Sequence, residues 1–215
     1  MGLAKWSAVV AFLIFATAWP AAAESVETDL KWLERLAEAG DAEAWYRIGV
    51  IKEQGVGLAV DPPGAIEAYT AAAELGHAKA QFRLAQLLAA GFAGPPNYAL
   101  ARLWYARAAA QGIAEAAYNA GLYAETGVGG REDLAAAEAF FRQAVAGGLP
   151  QAAERLALLH LDGRLGGTSD PVTALAWLLK AAALGSADAG ILARLLAEEL
   201  TAEQRAAAQK LAEQL

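Results

Sequence analysis

The 215-residue sequence contains no cysteine and only two histidines. Without cysteine the chain cannot form a disulfide scaffold, a thiolate metal site or a thiol nucleophile. His77 and His160 stand far apart and outside any zinc-binding spacing, so we interpret them as capping, surface or core residues and predict no metal site. Aromatic residues make up 8% and charged residues 19% of a chain that is 57% hydrophobic. Much of the apolar share is therefore alanine, and the composition is too apolar for a disordered protein.

Positive charge is also scarce, since 24 acidic residues outnumber 17 lysines and arginines. A net negative chain has no charge footprint for nucleic acid, and no nucleic-acid partner is predicted. The glycine-containing loops at 55–57 and 127–130 follow no predicted strand, and no Gly-Lys-Ser/Thr follows them, so they are not phosphate loops. No serine lies in a Gly-x-Ser-x-Gly motif. We predict no catalytic residue, no cofactor and no enzyme activity.

Residues 1–23 have the layout of a secretory signal peptide. Lys5 precedes an uncharged, mostly apolar run that is broken by Pro20 and ends in the small residues 21–23. We predict cleavage after Ala23 and no membrane span in the remaining chain. An uncleaved anchor is the alternative, because the uncharged run approaches the length of one span.

Glycine closes a unit of the sequence every 36 residues, with one interval of 37. A fixed period of this size is typical of stacked-repeat proteins. The glycines are Gly40, Gly76, Gly112, Gly148 and Gly185. The period predicts four repeats at 41–76, 77–112, 113–148 and 149–185.

Each repeat reads as two antiparallel helices, the first ended by a glycine such as Gly55 and the second begun by a capping Asp such as Asp61. A capping helix at 24–40 and a helix pair at 186–215 flank the repeats, because a stack needs polar ends. The prediction is one all-α domain with eleven helices, of which the first in each repeat is here called helix A.

Several repeat positions carry a family resemblance. The third repeat contains Gly121-Leu122-Tyr123 and Gly127-Val128-Gly129 followed by Asp133. The second contains Ala101, Trp104-Tyr105, Ala108-Ala109 and Gly112. These residues resemble the Sel-one-like repeat family, a relative of the tetratricopeptide repeats, although the fourth repeat departs from it with Arg164 and Leu165. The resemblance implies an α-solenoid with a right-handed superhelix and a role in protein interaction. The signal-peptide pattern predicts export, and together with the resemblance it favours the bacterial periplasm over another secretory route.

One polar row on helix A is a candidate binding surface. The same position recurs in all four repeats, and its neighbours on that face become more apolar toward Leu158. The predicted partner-binding residues are Arg47, Arg83, Asn119, Arg155, Lys79 and Gln86. Guanidinium groups in a row can bind carboxylates or the backbone of an extended peptide. The alternative is a solvated face with local Arg–Glu pairs.

The function predicted is a non-catalytic scaffold that binds an unidentified protein or peptide along the concave helix-A face. The alternative is an envelope enzyme or glycan-binding protein that uses carboxylates or aromatic residues on that face. Weak self-association through Leu175, Trp177, Leu178 and Leu179 is a further possibility. Trp45 fits no repeat rule, and we expect it to pack under the first capping helix around Trp32 rather than to serve as an exposed anchor.

Overall fold

The computed structural model describes residues 28–215, so the predicted signal peptide at 1–23 lies outside the described residues. The described chain forms eleven helices and no strand, as predicted. Helix α1 is described over residues 28–38. The others are α2 (Ala42–Gln54), α3 (Pro62–Glu74), α4 (Ala78–Ala90), α5 (Tyr98–Ala110), α6 (Ala114–Thr126), α7 (Leu134–Ala146), α8 (Pro150–Leu161), α9 (Pro171–Ala183), α10 (Ala187–Glu198) and α11 (Ala202–Ala212).

The helix ends follow the signals in the sequence. Gly55, Gly91 and Gly127 end α2, α4 and α6 in the left-handed conformation, which glycine adopts without a steric penalty. At the start of α3 the Asp61 carboxylate accepts a hydrogen bond from the Gly64 N–H at 3.0 Å. His77 does the same for α4, where its Nδ1 accepts from the Ala80 N–H at 3.1 Å. The capping interpretation of His77 is therefore confirmed.

The chain divides into two compact units. Among the described residues, the N-terminal unit contains residues 28–87 with Gly91–Pro95, and the C-terminal unit contains Leu88–Ala90 with Pro96–Leu215. None of the helices within residues 28–215 is long and apolar enough to cross a bilayer.

The core of the N-terminal unit begins where α1, α2 and α3 meet. Leu33, Ala44, Ile48 and neighbouring alanines form its buried cluster, and Trp45 packs against them. The prediction that Trp45 packs beneath α1, and is not an exposed anchor, is thus confirmed. Trp32 is 55% exposed and is not part of the cluster, so the expectation that the two indoles bury together is wrong.

Small residues on the first helix of a repeat admit aromatic rings from the second. A Cβ on Gly121 of α6 would lie 2.6 Å from the Phe141 ring of α7, which is fully buried. Gly49 of α2 stands in the same relation to Tyr69 of α3, with a closest approach of 2.7 Å. In both units the glycine permits a helix–ring contact that any side chain would block.

Candidate functional site

Arg83, one of the predicted site residues, is held inside the N-terminal unit. Its guanidinium forms two hydrogen bonds with the Glu53 carboxylate, of which the Nε–Oε2 bond is 3.0 Å long, and a third with Gln86 at 2.9 Å. The Tyr69 hydroxyl donates to Glu53 at 2.8 Å. Burial alone would raise the pKa of Glu53, but the hydrogen bonds from Arg83 and Tyr69 outweigh it and the pKa is lowered. Glu53 is therefore a fixed anion that holds α4 against α2.

Arg155 makes the equivalent contact in the C-terminal unit. Its Nε and Nη2 donate to the two oxygens of Glu125 at 2.7 and 2.6 Å. Arg164 adds a third hydrogen bond to Glu125 at 2.7 Å and also pairs with Glu132 at 2.9 Å. The Glu125 side chain is only 1% exposed, so two guanidinium groups compensate a buried carboxylate. Arg164, which departs from the repeat pattern, thus ties the loop after α8 to α6.

The other members of the predicted row are closer to solvent. Arg47 pairs with Glu43 one turn earlier on α2 at 2.8 Å, and both side chains are exposed. Glu43 is also bonded to the His77 Nε2 at 3.0 Å. The Asn119 amide donates to the Glu115 carbonyl on its own helix at 2.7 Å, and Lys79 is exposed on α4.

Glu53 and Glu125 were missed by the sequence reasoning. Each lies 30 residues before the arginine it binds, and the two stand at the same repeat position. Where the arginine position carries Asn119, the residue 30 positions earlier is Ala89. Among α2, α4, α6 and α8 the glutamate and the arginine are thus present together or replaced together. This pattern was visible in the sequence and indicates an ion pair between the helices A of consecutive repeats.

The use of the row as a partner-binding surface stays a prediction. A triple alanine variant of its arginines would not test it cleanly, because two of them support the fold.

An apolar groove lies on α8 and α10 in the C-terminal unit. It has a volume of about 280 Å³, and Leu178 of α9 forms part of its lining. Its main apolar residues are Leu158, Leu161, Leu192, Leu195 and Leu196, with Glu154 and Glu199 among the lining residues. Leu158 is 45% and Leu195 is 56% exposed. We call this surface the leucine groove.

The leucine groove includes the apolar end of the helix-A face that the sequence indicated at Leu158. Leu195 holds the equivalent position one repeat later and was missed because α10 was treated only as part of a cap. The residues suggested for self-association overlap with this groove only at Leu178, which contributes to its lining. Leu175, Trp177 and Leu178 are buried in α9 and Leu179 is half-buried, so they do not form the exposed apolar surface that was expected, and self-association itself stays a prediction.

His160 and Trp177 carry the unpartnered polar atoms of the C-terminal unit. Both the His160 Nε2 and the Trp177 Nε1 are buried without a hydrogen-bond partner among the described residues. Burial lowers the pKa of His160, and the nearby Arg142 lowers it further, whereas Asp170 and Glu138 act in the opposite direction. Within residues 28–215, no group of three or more His, Asp or Glu residues is placed to hold a metal ion.

Acidification is expected to destabilise the C-terminal unit through His160. Its folded pKa lies below the ordinary value of 6.5, so the unfolded chain binds more protons as the pH falls through that value. The stability contributed by the neutral ring is complete above the unfolded pKa and is lost as the pH falls through the folded pKa. Urea unfolding between pH 7.5 and 5 should show a steeper loss for the wild type than for His160→Leu, and identical slopes would contradict the assignment.

Comparison with known proteins identifies the repeats. The model of the Sel1 repeat matches residues 30–41, 42–77, 78–113, 114–149 and 150–186. The solved structure of c5321, a protective antigen of uropathogenic Escherichia coli strains with an SLR fold, is 31% identical with a TM-score of 0.69. That match covers 86% of this chain and 40% of the antigen.

A Sel1 repeat protein from Oxalobacter formigenes is 28% identical with a TM-score of 0.60, over 74% of this chain and 65% of its own. This chain thus spans less than two thirds of either protein. No curated protein matches the sequence. The family resemblance and the all-α solenoid class predicted from the repeat period are confirmed. The chain belongs to the Sel1 repeat family.

Proposed function

We propose that this protein is an exported, non-catalytic scaffold that binds a partner protein or peptide on the helix-A face of its repeats, the predicted concave face. Sel1 repeat proteins are generally protein-interaction scaffolds. The observation that carries the proposal is the leucine groove of the C-terminal unit. The signal-peptide pattern of residues 1–23 supports export, and the periplasm is the compartment we propose.

The leucine groove has the features of a docking surface. Leu158, Leu192 and Leu195 are about half exposed to water, so a partner that covers one of them fully gains roughly 1 kcal/mol, half of what burial of a fully exposed leucine provides. Helices α8 and α10 fix their positions, so little ordering of the scaffold opposes binding. The groove fits a segment with two or more apolar anchors.

Charge at the groove defines the partner further. Glu154 and Glu199 line it, and no basic residue does. A lysine or arginine beside the apolar anchors of the partner would therefore be favoured. In the predicted polar row, Arg47, Lys79 and Asn119 remain proposed contacts, whereas Arg83 and Arg155 are engaged with Glu53 and Glu125.

The experiment compares two charge insertions on α10. A photo-reactive cross-linking residue is placed at Glu198, which is exposed on α10 next to the lining residue Glu199, and partners are captured in the native envelope and quantified by mass spectrometry. Leu195→Glu puts a charge into the groove, and its capture of the specific partner should fall by about ten-fold or more, since a buried leucine contact is lost and a carboxylate is desolvated. Ile191→Glu is the matched control, because Ile191 is similarly exposed on α10 but does not line the groove. Equal capture of the partner by both variants would show that the leucine groove is not the binding surface.

A further inference from the structure

A second open groove lies in the N-terminal unit, between α1 and α2. Its volume is about 560 Å³, and it is separate from the leucine groove. Apolar, aromatic and charged side chains line it: Asp29, Trp32, Leu33, Glu43, Tyr46, Arg47, Val50 and Ile51. Trp32 is the exposed indole noted above. We call this surface the α1–α2 groove.

The equivalent position in the fourth repeat shows which element normally covers the position of Trp32. Trp32 holds the repeat position of Trp177 on α9, which is only 2% exposed. In the C-terminal unit α8, the helix A of the same repeat, packs along α9. Among residues 28–215 no helix precedes α1, so α1 has no described helix A packed along it as α8 is packed along α9. The α1–α2 groove therefore lies where the helix A of the preceding repeat would pack.

Arg47 supplies a second and independent observation. It holds the same repeat position as Arg83 and Arg155. Each of those binds a glutamate in the last turn of the preceding helix A, 30 residues earlier. Within the described residues Arg47 has only the exposed contact with Glu43 on its own helix, and Glu43 keeps a second partner in His77. Arg47 can thus turn to another carboxylate without leaving Glu43 unpaired.

We propose that the α1–α2 groove docks an amphipathic helix of a partner protein, which joins the stack as an additional helix A. Its apolar face covers Trp32 and Tyr46, and a carboxylate in its last turn pairs with Arg47. This proposal rests on the proposed binding role of the helix-A face, to which Arg47 belongs, and assigns it a second docking surface that does not depend on the leucine groove.

The carboxylate required by Arg47 indicates which molecule supplies the docked helix. In the described part of a second copy, the glutamates of this kind, Glu53 and Glu125, are already bound by Arg83 and Arg155. In the preceding part of this chain the position 30 residues before Arg47 is Thr17, and residues 6–23 contain no acidic residue. Glu24 and Glu27 are too close in sequence to α1 to stand in the last turn of an antiparallel helix before it. A partner protein is therefore the occupant that the charges select.

The test uses a synthetic copy of α6, residues 114–126, as the probe, because α6 fills the equivalent site before α8. A lactam joins Glu115 to a lysine introduced by Asn119→Lys, since an isolated helix of this length is marginal in water. Binding to the exported, purified protein is measured by fluorescence anisotropy. The peptide with Glu125 should bind about ten-fold more tightly than its Glu125→Gln form, because a charge-assisted bidentate pair is lost.

Protein variants locate the contact. Arg47→Ala should reduce the difference between the two peptides to less than about two-fold, whereas Arg35→Ala on exposed α1 should leave it unchanged. Trp32→Ala should weaken both peptides alike. Leu195→Glu should bind both peptides like the wild type, which separates this result from the fate of the leucine groove. Equal affinity of the two peptides, no saturable binding, or a difference that survives Arg47→Ala would overturn the proposal.

Discussion

Replacing Arg155 and Arg164 together by methionine is expected to lower the free energy of unfolding by about 3–5 kcal/mol. Both guanidinium groups bind Glu125, whose side chain is 1% exposed. Removing them leaves a buried carboxylate without a cation, and its desolvation is no longer offset. Urea unfolding followed by circular dichroism measures the loss. Arg155→Met alone should cost less, because Arg164 still reaches Glu125 at 2.7 Å.

A third substitution distinguishes charge from packing. Adding Glu125→Leu to the double variant removes the stranded anion and should restore most of the lost stability, since apolar replacements of buried ion networks are often neutral or stabilising. Arg47→Met is the matched control at the same repeat position. Its contact with Glu43 is exposed, so it should cost less than about 0.5 kcal/mol. A triple variant as unstable as the double variant would show that the arginines act through their packing.

Gly121→Ala is expected to destabilise the C-terminal unit by about 1–3 kcal/mol. Helix propensity alone predicts the opposite sign, because alanine is favoured over glycine inside a helix by roughly 0.5–1 kcal/mol. The added Cβ would lie 2.6 Å from the ring of Phe141, and that ring is completely buried. The steric term therefore decides the sign, and thermal unfolding at neutral pH measures it.

Two further variants isolate this steric term. Gly190→Ala on α10 is the control, because its Cβ would meet only the Ala182 Cβ at 3.7 Å, and it should stabilise the protein. Phe141→Leu should rescue part of the Gly121→Ala loss, since the equivalent positions in α8 and α9 carry Ala157 and Leu178. If Gly121→Ala and Gly190→Ala shift the melting temperature in the same direction, the ring contact does not control the choice of glycine.

The helices were predictable because their signals are local. A glycine such as Gly127 ends a helix, and an Asp such as Asp133 begins the next, whatever the rest of the chain does. The 36-residue period then assigns each helix to a repeat. Fold class, helix number and most of the caps follow from these signals, whereas α6 and α8 begin after Ile113 and Leu149 without a side-chain cap.

The roles of the charged residues were less predictable because they depend on contacts between repeats. Arg155 and Arg47 look alike in the sequence, yet the first binds a buried glutamate and the second an exposed one. The difference arises 30 residues earlier, where Glu125 precedes Arg155 and Thr17 precedes Arg47, and a polar row along one face does not reveal a pair between two helices. The exposure of Trp32 was not predicted for a similar reason. Trp32 and Trp177 hold the same repeat position and differ only in the helices that cover them.

The glutamate–arginine pairs also constrain how such a chain can change in length. Glu53–Arg83 and Glu125–Arg155 are matched, while Ala89 and Asn119 occupy the intervening equivalent positions. Excising the second repeat alone would place Glu53 before Asn119, and excising the third alone would place Ala89 before Arg155. Excising both would bring Glu53 to Arg155 and preserve the match. The interchangeable module of this chain is accordingly two repeats long, twice the period at which its glycines recur.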